Sequence, residues 1–480
     1  MKSNYHPVCL MLLVLVLSQA TNSLAAEAIF NQAGESSRTV PAHPPSGASH
    51  ANPLQADLSF RAIPARPPSD ALRANPLQAD LSLSSTQLVS AVLAANPQLE
   101  VVQAIWQATS SRIEQESALD DPLLVHSMAP QTIGNQRTGF SQSTEISQKI
   151  PWPGKLRLRG EVAGFEADAA NENIAVLRLV LSSTAKSLFA DWYYIHQAIE
   201  INRINQTLLT EFRDIAVTRY STGQASKQDA LSAEVEIALL EHQAIVLERE
   251  RRTLLARLNT LLNRLPGESI PPPLELPEIR ALPDVKSLHD NALQTRPELK
   301  ELAARIQASK SQTELAKRAY YPDLNLSAGY NSFWDKNEQR FILGVGINLP
   351  LDQSKRHAAE DEARARMKQA EWNSIDLVAK IGEEVQIAYD RTDESMHVFQ
   401  LYQNKLLPLA DENLEAAKAD YQAGRGDFLT LISSEKNRMQ TQLQTEQALA
   451  DTHRHLAELE RAVGSLEPLS ALNQIVSKAP

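Results

Sequence analysis

The sequence predicts a mainly α-helical chain with a small membrane β part, built by using one module twice. Three observations lead there: a helix-forming composition, a repeat of about two hundred residues, and a change of hydrophobic period at the same place in each copy. Of 480 residues only 16 are glycine and 5% are aromatic, while 22% are charged. Ala, Leu, Glu, Gln and Arg recur throughout, as they do in long helices.

The repeat organises the chain. Asn96-Pro-Gln-Leu99 returns as Arg296-Pro-Glu-Leu299, and Asp121-Pro-Leu-Leu124 as Tyr321-Pro-Asp-Leu324, both offset by 200 residues (297 − 97, 322 − 122). Ile150-Pro151 is matched by Leu349-Pro350, and Tyr220-Ser-Thr-Gly223 by Tyr421-Gln-Ala-Gly424. The copies occupy residues 85–265 and 284–465, joined by a Pro-rich linker over 266–283 and followed by a tail, 466–480.

Ahead of them, residues 1–26 read as a secretory signal. Lys2 supplies a positive start, Val8–Leu17 is apolar, and Ser23-Leu-Ala-Ala26 offers a cleavage site after Ala25 or Ala26. The single cysteine, Cys9, falls inside that segment, so the exported chain is expected to have no thiol. Neither Val8 nor Leu10 suits a lipoprotein site, and no lipid anchor is expected. Residues 27–84 form a Pro/Ser/Ala-rich tether in which Ala51-Asn-Pro-Leu-Gln-Ala-Asp-Leu-Ser59 recurs as Ala74–Ser82. No uncharged apolar run of about 18 residues follows the signal, which argues against a helical membrane span.

Within copy two a helical pattern runs through Leu299–Ala319 until Pro322 ends it. The period then falls to two. Leu324, Leu326, Ala328 and Tyr330 alternate with Asn325, Ser327 and Gly329, and Phe341, Leu343, Val345, Ile347 and Leu349 alternate beyond a polar loop. These are two strands of about ten residues, the length of a tilted outer-membrane strand. Copy one offers Leu123–Pro130 and Gly139–Ile150, but Ser141, Gln142, Ser143 and Thr144 leave its apolar face thin, so that hairpin is placed mainly by the repeat.

Long helices follow each hairpin. Leu156–Ala216 is about 60 residues, roughly 90 Å at 1.5 Å per residue. Heptad-like spacing at Ala363, Met367, Ala370, Leu377, Ile381, Val385 and Ala388, and again at Ile432, Met439, Leu443 and Ala450, predicts paired coiled coils that reverse at the Tyr-x-x-Gly motifs. Four membrane-length strands cannot close a barrel, so several subunits must share one, and three would supply about twelve strands. Trp152, Tyr320 and Tyr321 on the helical side, and Phe140, Phe333, Trp334 and Phe341 on the loop side, are placed to meet the membrane interfaces.

These features, together with Ile146-Ser-Gln-Lys-Ile-Pro-Trp-Pro-Gly-Lys155, resemble the TolC-type outer-membrane efflux proteins over about Leu88 to Val463. Gln148–Lys155 and Tyr220–Asp229 look closest to the branch serving heavy-metal pumps of the resistance-nodulation-division class. The resemblance implies a homotrimer with its barrel in outer-membrane lipid and an α-helical tunnel through the periplasm, whose tip docks a periplasmic adaptor and an inner-membrane pump. It implies that Tyr220, Gly223, Tyr421 and Gly424 form adaptor-facing turns, and that Asp229 lies near the pore constriction. The counterpart of Asp229 is Thr430, where the archetypal channel carries an acid, so an acidic ring from both copies does not follow.

Other chemistry finds little footing. A net charge of −11 with no basic patch argues against nucleic acid. Phosphate loops, nucleophile motifs and mature cysteine are missing, so neither an enzyme nor a cofactor is expected. His126 and Met128 share one face of a strand and are soft ligands, yet no third ligand accompanies them and no metal site is assigned. His453 and His455 are two apart on the last helix, on different faces, and read as solvated. Two rival functions remain at this stage: the outer-membrane duct of a type I protein secretion system, and a non-channel periplasmic coiled-coil or adaptor protein. The exported substrate is not legible in the sequence.

Overall fold

The computed structural model describes residues 82–129, 141–277, 279, 281–332 and 340–466. The signal, the tether to residue 81, the two hairpin loops with Phe140, Phe333 and Trp334, and the tail from 467 lie outside them.

Copy one runs α1 (Ser85–Ala95), α2 (Pro97–Ser117), β1 (Leu123–Ala129), β2 (Ser141–Ile150), α3 (Lys155–Ser221) and α4 (Lys227–Leu261). Copy two repeats the order as α5 (Val285–Thr295), α6 (Pro297–Arg318), β3 (Leu324–Asn331), β4 (Phe341–Ile347), α7 (Gln353–Leu401), α8 (Leu407–Gln422) and α9 (Phe428–Val463). Helix α3, 67 residues and about 100 Å long, is the shared spine: α1, α2, α4, α6 and α9 all pack on it. The expected α7 is interrupted. Pro408 removes a backbone donor, and a π-helical turn over Tyr402–Leu406 absorbs the fault. The repeat offset grows from 199 (350 − 151) to 201 (424 − 223) across this stretch, and the π turn takes up part of the surplus.

Each copy closes its upper end in the same way. Proline at the first position of α2 and of α6 sets an elbow after the short preceding helix, α1 or α5. At the elbow Asn96 donates from Nδ2 to the Leu261 carbonyl at the end of α4 (3.0 Å). Its counterpart Arg296 donates to the Ala462 carbonyl at the end of α9 (3.2 Å), to Glu384 (2.7 Å) and to Glu298 (2.6 Å). Both satisfy carbonyls that a helix end leaves free.

The cores beneath the elbows match residue by residue: Leu88, Val92, Leu258 and Leu262 in copy one are Leu288, Ala292, Leu459 and Val463 in copy two. They differ at Trp192, whose counterpart is Thr392. Trp192 donates from its indole to the Pro271 carbonyl (3.1 Å), so the Pro-rich linker is a strap packed on copy one, with Ile270 buried. Leu83, expected in the tether, joins the same core and exchanges backbone hydrogen bonds with Pro272 and Leu274, both 2.8 Å. The histidines of α9 also depart from expectation. His453 and His455 are half-buried, each with one ring nitrogen shut away from solvent, and burial pushes His453 down to about 4.

Arg296 is only 3% exposed, with its guanidinium shared among three partners. Arg296→Met should therefore lower unfolding stability by about 2–3 kcal/mol, because charged hydrogen bonds are lost and Glu298 keeps its charge in a half-buried place. Chemical denaturation followed by circular dichroism checks this; an unchanged midpoint would make the elbow dispensable.

Candidate functional site

Two places hold the candidate residues: the sheet with its junction to the helices, and the turns at the far end of the long helices.

The four strands form one antiparallel meander in the order β1-β2-β3-β4. Residues paired across an antiparallel ladder share a face, so the register assigns each side. Leu324, Leu326, Ala328 and Tyr330 face the same way as Ile347, Val345, Leu343 and Phe341. Through β2 this face continues with Ile150, Gln148, Ile146 and Thr144, and through β1 with Leu124, His126 and Met128. The other face is small or polar over most of its area: Ser143, Glu145, Ser147 and Lys149 on β2, and Asn325, Ser327 and Gly329 on β3 against Gly344 and Gly346 on β4. The apolar side is open to solvent in the single chain, with Phe341 79% and Leu343 87% exposed.

His126 and Met128 thus lie on the apolar side. His126 Nδ1 meets the Thr144 hydroxyl at 2.7 Å, which satisfies both polar groups locally. Among the described residues no group of three or more His, Cys, Asp or Glu could hold a metal ion.

The junction explains why Pro-Trp-Pro-Gly-Lys follows β2. Gly154, at φ +92°, turns the chain into α3 in a conformation that favours glycine. Lys155 then reaches back, donating to Asp323 Oδ1 (2.6 Å) and to the Tyr321 carbonyl (2.9 Å). The Trp152 N–H donates to the same carboxylate (3.0 Å), and the Asp323 N–H donates to Asn348. One aspartate thereby ties the strand-to-helix turn of copy one to both strands of copy two. Trp152 stacks on Tyr321 at 5.3 Å beside it. Tyr320 points elsewhere, its hydroxyl contacting His357 (3.0 Å) and Glu360 (3.1 Å) at the start of α7. At the opposite end of the strands Phe341 meets Tyr330 edge-on at 5.4 Å.

At the helical tip the two Tyr-x-x-Gly turns are the same structure. Gly223 and Gly424 both have φ +72°. Gly223 N–H donates to the Tyr220 carbonyl and Gln224 N–H to that of Arg219; Gly424 and Arg425 repeat this with Tyr421 and Asp420. This pairing is the Schellman end of a helix. Ser226 and Asp427 then cap α4 and α9.

The tyrosines, however, diverge. Tyr220 is 50% exposed, whereas Tyr421 is 4% exposed in the core formed by Phe212, Ala216, Phe428 and Leu431. Arg219 lies over the Tyr421 ring at 4.7 Å and donates to its carbonyl. The Tyr421 hydroxyl donates to Asp229 Oδ2 (3.4 Å), whose other oxygen accepts from the Ser226 hydroxyl (3.3 Å). Burial and the adjacent carboxylate push the Tyr421 hydroxyl up, so it stays a donor. Asp229 is half-buried at the joint between the copies, while Thr430 is exposed. Sequence spacing paired the tyrosines and missed this asymmetry; the signal was the Arg219 of copy one opposite Asp420 of copy two.

A family model described as outer membrane efflux protein matches residues 288–465, within the second copy. That match places the second copy in the family. The chain is 21% identical over 382 residues to the cobalt-zinc-cadmium resistance protein CzcC of Cupriavidus metallidurans, covering 78% of this chain and 88% of that one. It is 22% identical over 363 residues to the pyoverdine export outer membrane protein OpmQ of Pseudomonas aeruginosa, covering 72% and 73%. The solved outer-membrane channel OprN has a TM-score of 0.69 at 20% identity, over 79% of this chain and 90% of that one. The solved structure of CusC has a TM-score of 0.69 at 17% identity, over 79% of this chain and 92% of that one. The fold of these solved channels, long helices with a small antiparallel sheet, is thus the fold of this chain.

A Cβ at Gly223 meets nothing within 4 Å, but one at Gly424 would lie 3.4 Å from Arg219. Gly223→Val and Gly424→Val should each cost about 1–2 kcal/mol of backbone strain, and Gly424→Val should also loosen Arg219 from Tyr421. Hydrogen exchange over residues 216–224 and 417–425 should therefore rise in both variants and further in the second; equal protection in all three proteins would contradict the turn assignment.

Proposed function

We propose that three copies of this chain form an exit duct through the outer membrane, standing on a periplasmic adaptor and an inner-membrane pump. The observation that carries this reading is the sheet. One face is apolar and uncovered, and the outer edges of β1 and β4 have no strand partner among the described residues. In lipid such edges must be paired. Three copies give 12 strands (3 × 4), with the polar face lining a water-filled lumen. Further down, Leu231, Val235, Leu239 and Ile245 of α4 and Trp372, Ile375 and Val378 of α7 leave apolar stripes on the two outer helices, which suits a closed ring of copies meeting head to tail.

Cargo passes through this duct rather than reacting in it. Among the described residues the polar face offers Glu145 and Lys149 among serines and asparagines and no metal-holding cluster, which supports leaving selection to the pump. Heavy-metal cations are one candidate cargo, supported by the likeness to a cobalt-zinc-cadmium resistance protein. Asp229, repeated by three-fold symmetry near the tip, would favour cations. The exposed Tyr220, with Gly223 and Gly424 shaping the turns beside it, is the surface offered to the adaptor, whereas the buried Tyr421 supports that surface from within.

Face assignment gives a direct test. Leu343→Arg puts a charge on the lipid side at a cost of about 2–4 kcal/mol near the bilayer midplane and should abolish outer-membrane trimers. Ser147→Arg, on the lumen side, should assemble and conduct less. Equal assembly of both variants in membrane fractionation and cross-linking would refute the barrel. In planar bilayers Asp229→Asn should conduct with a weaker cation preference, and unchanged selectivity would remove Asp229 from the pore.

Tyr220→Ala should leave the trimer intact and cut adaptor cross-linking at least several-fold. Undiminished cross-linking would move the docking surface away from this turn.

A further inference from the structure

The tip core contains a charge-bearing side chain that the duct reading does not use. Glu435 lies on α9 between Ile432 and Met439, in the helix that packs on α3 and α8. It is 2% exposed, and both carboxyl oxygens are buried without a hydrogen-bond partner. Nearby polar groups are already engaged: Ser434 accepts from Asn413 of α8 (3.1 Å), and Arg438 donates to Asp411 of α8 (2.8 Å).

An unpartnered carboxylate inside a packed core is costly, and the group stays uncharged unless water reaches it. Charges facing it do not reverse this. Burial is the largest influence and raises its pKa to about 7, with Arg438 on its own helix and Lys418 on α8 opposing and Asp411 on α8 assisting. Just outside, a groove between α3 and α8 is lined by Arg203 and Glu211 of α3 and by Asp411, Glu415 and Arg438. On the α4 side Lys436 is held by Glu236 (3.5 Å). Arg203 is taken by Glu200, so of these cations only Lys418 has no ion pair among the described residues, and it makes no hydrogen bond to Glu435.

We propose that Glu435 is a proton-operated latch of the tip. Uncharged, it lets α8 and α9 pack on α3 through Leu414, Leu431 and Ile432; charged, it draws water into that core and releases the pair. The linkage has a definite sign. The native pKa is raised above the unfolded value, so the packing contribution is complete below about 4.5 and is lost as pH rises through about 7. The latch therefore holds in mild acid and loosens on the alkaline side. This rests on the duct reading for its consequence in transport, but not for the titration itself.

The test uses the full-length trimer in detergent and in bilayers, wild type against Glu435→Gln, which keeps the shape and cannot ionise. In the infrared, the protonated-carboxyl band lost in Glu435→Gln should be present in wild type at pH 5.5 and absent at pH 8.5. Hydrogen exchange over 428–440 should quicken at least tenfold between those values in wild type, beyond the intrinsic change, and stay level in Glu435→Gln. Conductance should rise with a midpoint near 7 only in wild type. A carboxyl already ionised at pH 5.5, or pH-dependent exchange and conductance that persist unchanged in Glu435→Gln, would overturn the latch. Conductance that is present but level with pH, alongside a titrating carboxyl, would overturn its link to the aperture. If the carboxyl titrates and exchange responds but no current flows at any pH, the latch stands and the duct reading falls. Should Glu435→Gln fail to assemble, Glu435→Leu tested for exchange alone decides the same point: a pH-dependent rate there overturns the proposal.

Discussion

An unpaired strand edge governs this molecule. The meander is apolar on one side and polar over most of the other, and the outer edges of β1 and β4 have no strand partner among the described residues. Everything else follows from how that deficit is met. Lipid can accept the apolar side chains of β4 but offers nothing to an amide or a carbonyl, which is why the proposed duct pairs the sheet with copies of itself. In that proposal the helices below lie in a ring of the same symmetry, and Asp323 at the junction fixes the direction in which they leave the strands.

Duplication supplies two of each part, and the structure spends the second copy on difference. Asn96 and Arg296 brace equivalent elbows, each on the end of the last helix of its copy, yet only the arginine also reaches a further helix, α7, at Glu384. Trp192 anchors the strap between the copies where Thr392 bonds its own helix at Ala388. Tyr220 faces outward and Tyr421 inward, because Arg219 and Asp229 of copy one converge on the copy-two ring. A perfectly repeated sequence would give two like turns per chain; this one gives two kinds.

Much of the fold was legible because its signals are periodic. Pro322 ends a helix, and alternation over Leu324–Tyr330 and Phe341–Leu349 marks strands that begin and end within two residues of the observed ones. Copy one was readable only by analogy, since Ser141–Thr144 carry little hydrophobic contrast, and the hairpin is there. Three features escaped for physical reasons. Tyr421 is buried by partners from another copy, which spacing does not reveal. His453 looked exposed because a histidine on a polar helix face gives no sign of the strap that covers it near Pro277. Glu435 looked like any acidic residue of a coiled coil, since helical periodicity alone does not tell that its face is buried.

The interruption at Tyr402–Leu406 gives the two halves of the chain unequal mechanical character. Helix α3 is an unbroken strut, and bending it would strain many hydrogen bonds at once. The α7–α8 limb has a built-in joint, where the regular ladder is already broken and deflection is concentrated. A load applied at the tip, such as the grip of a partner, would thus be carried by copy one as a rigid column and converted into swing by copy two. The duplicated module is in this sense a frame and a lever cut from the same pattern.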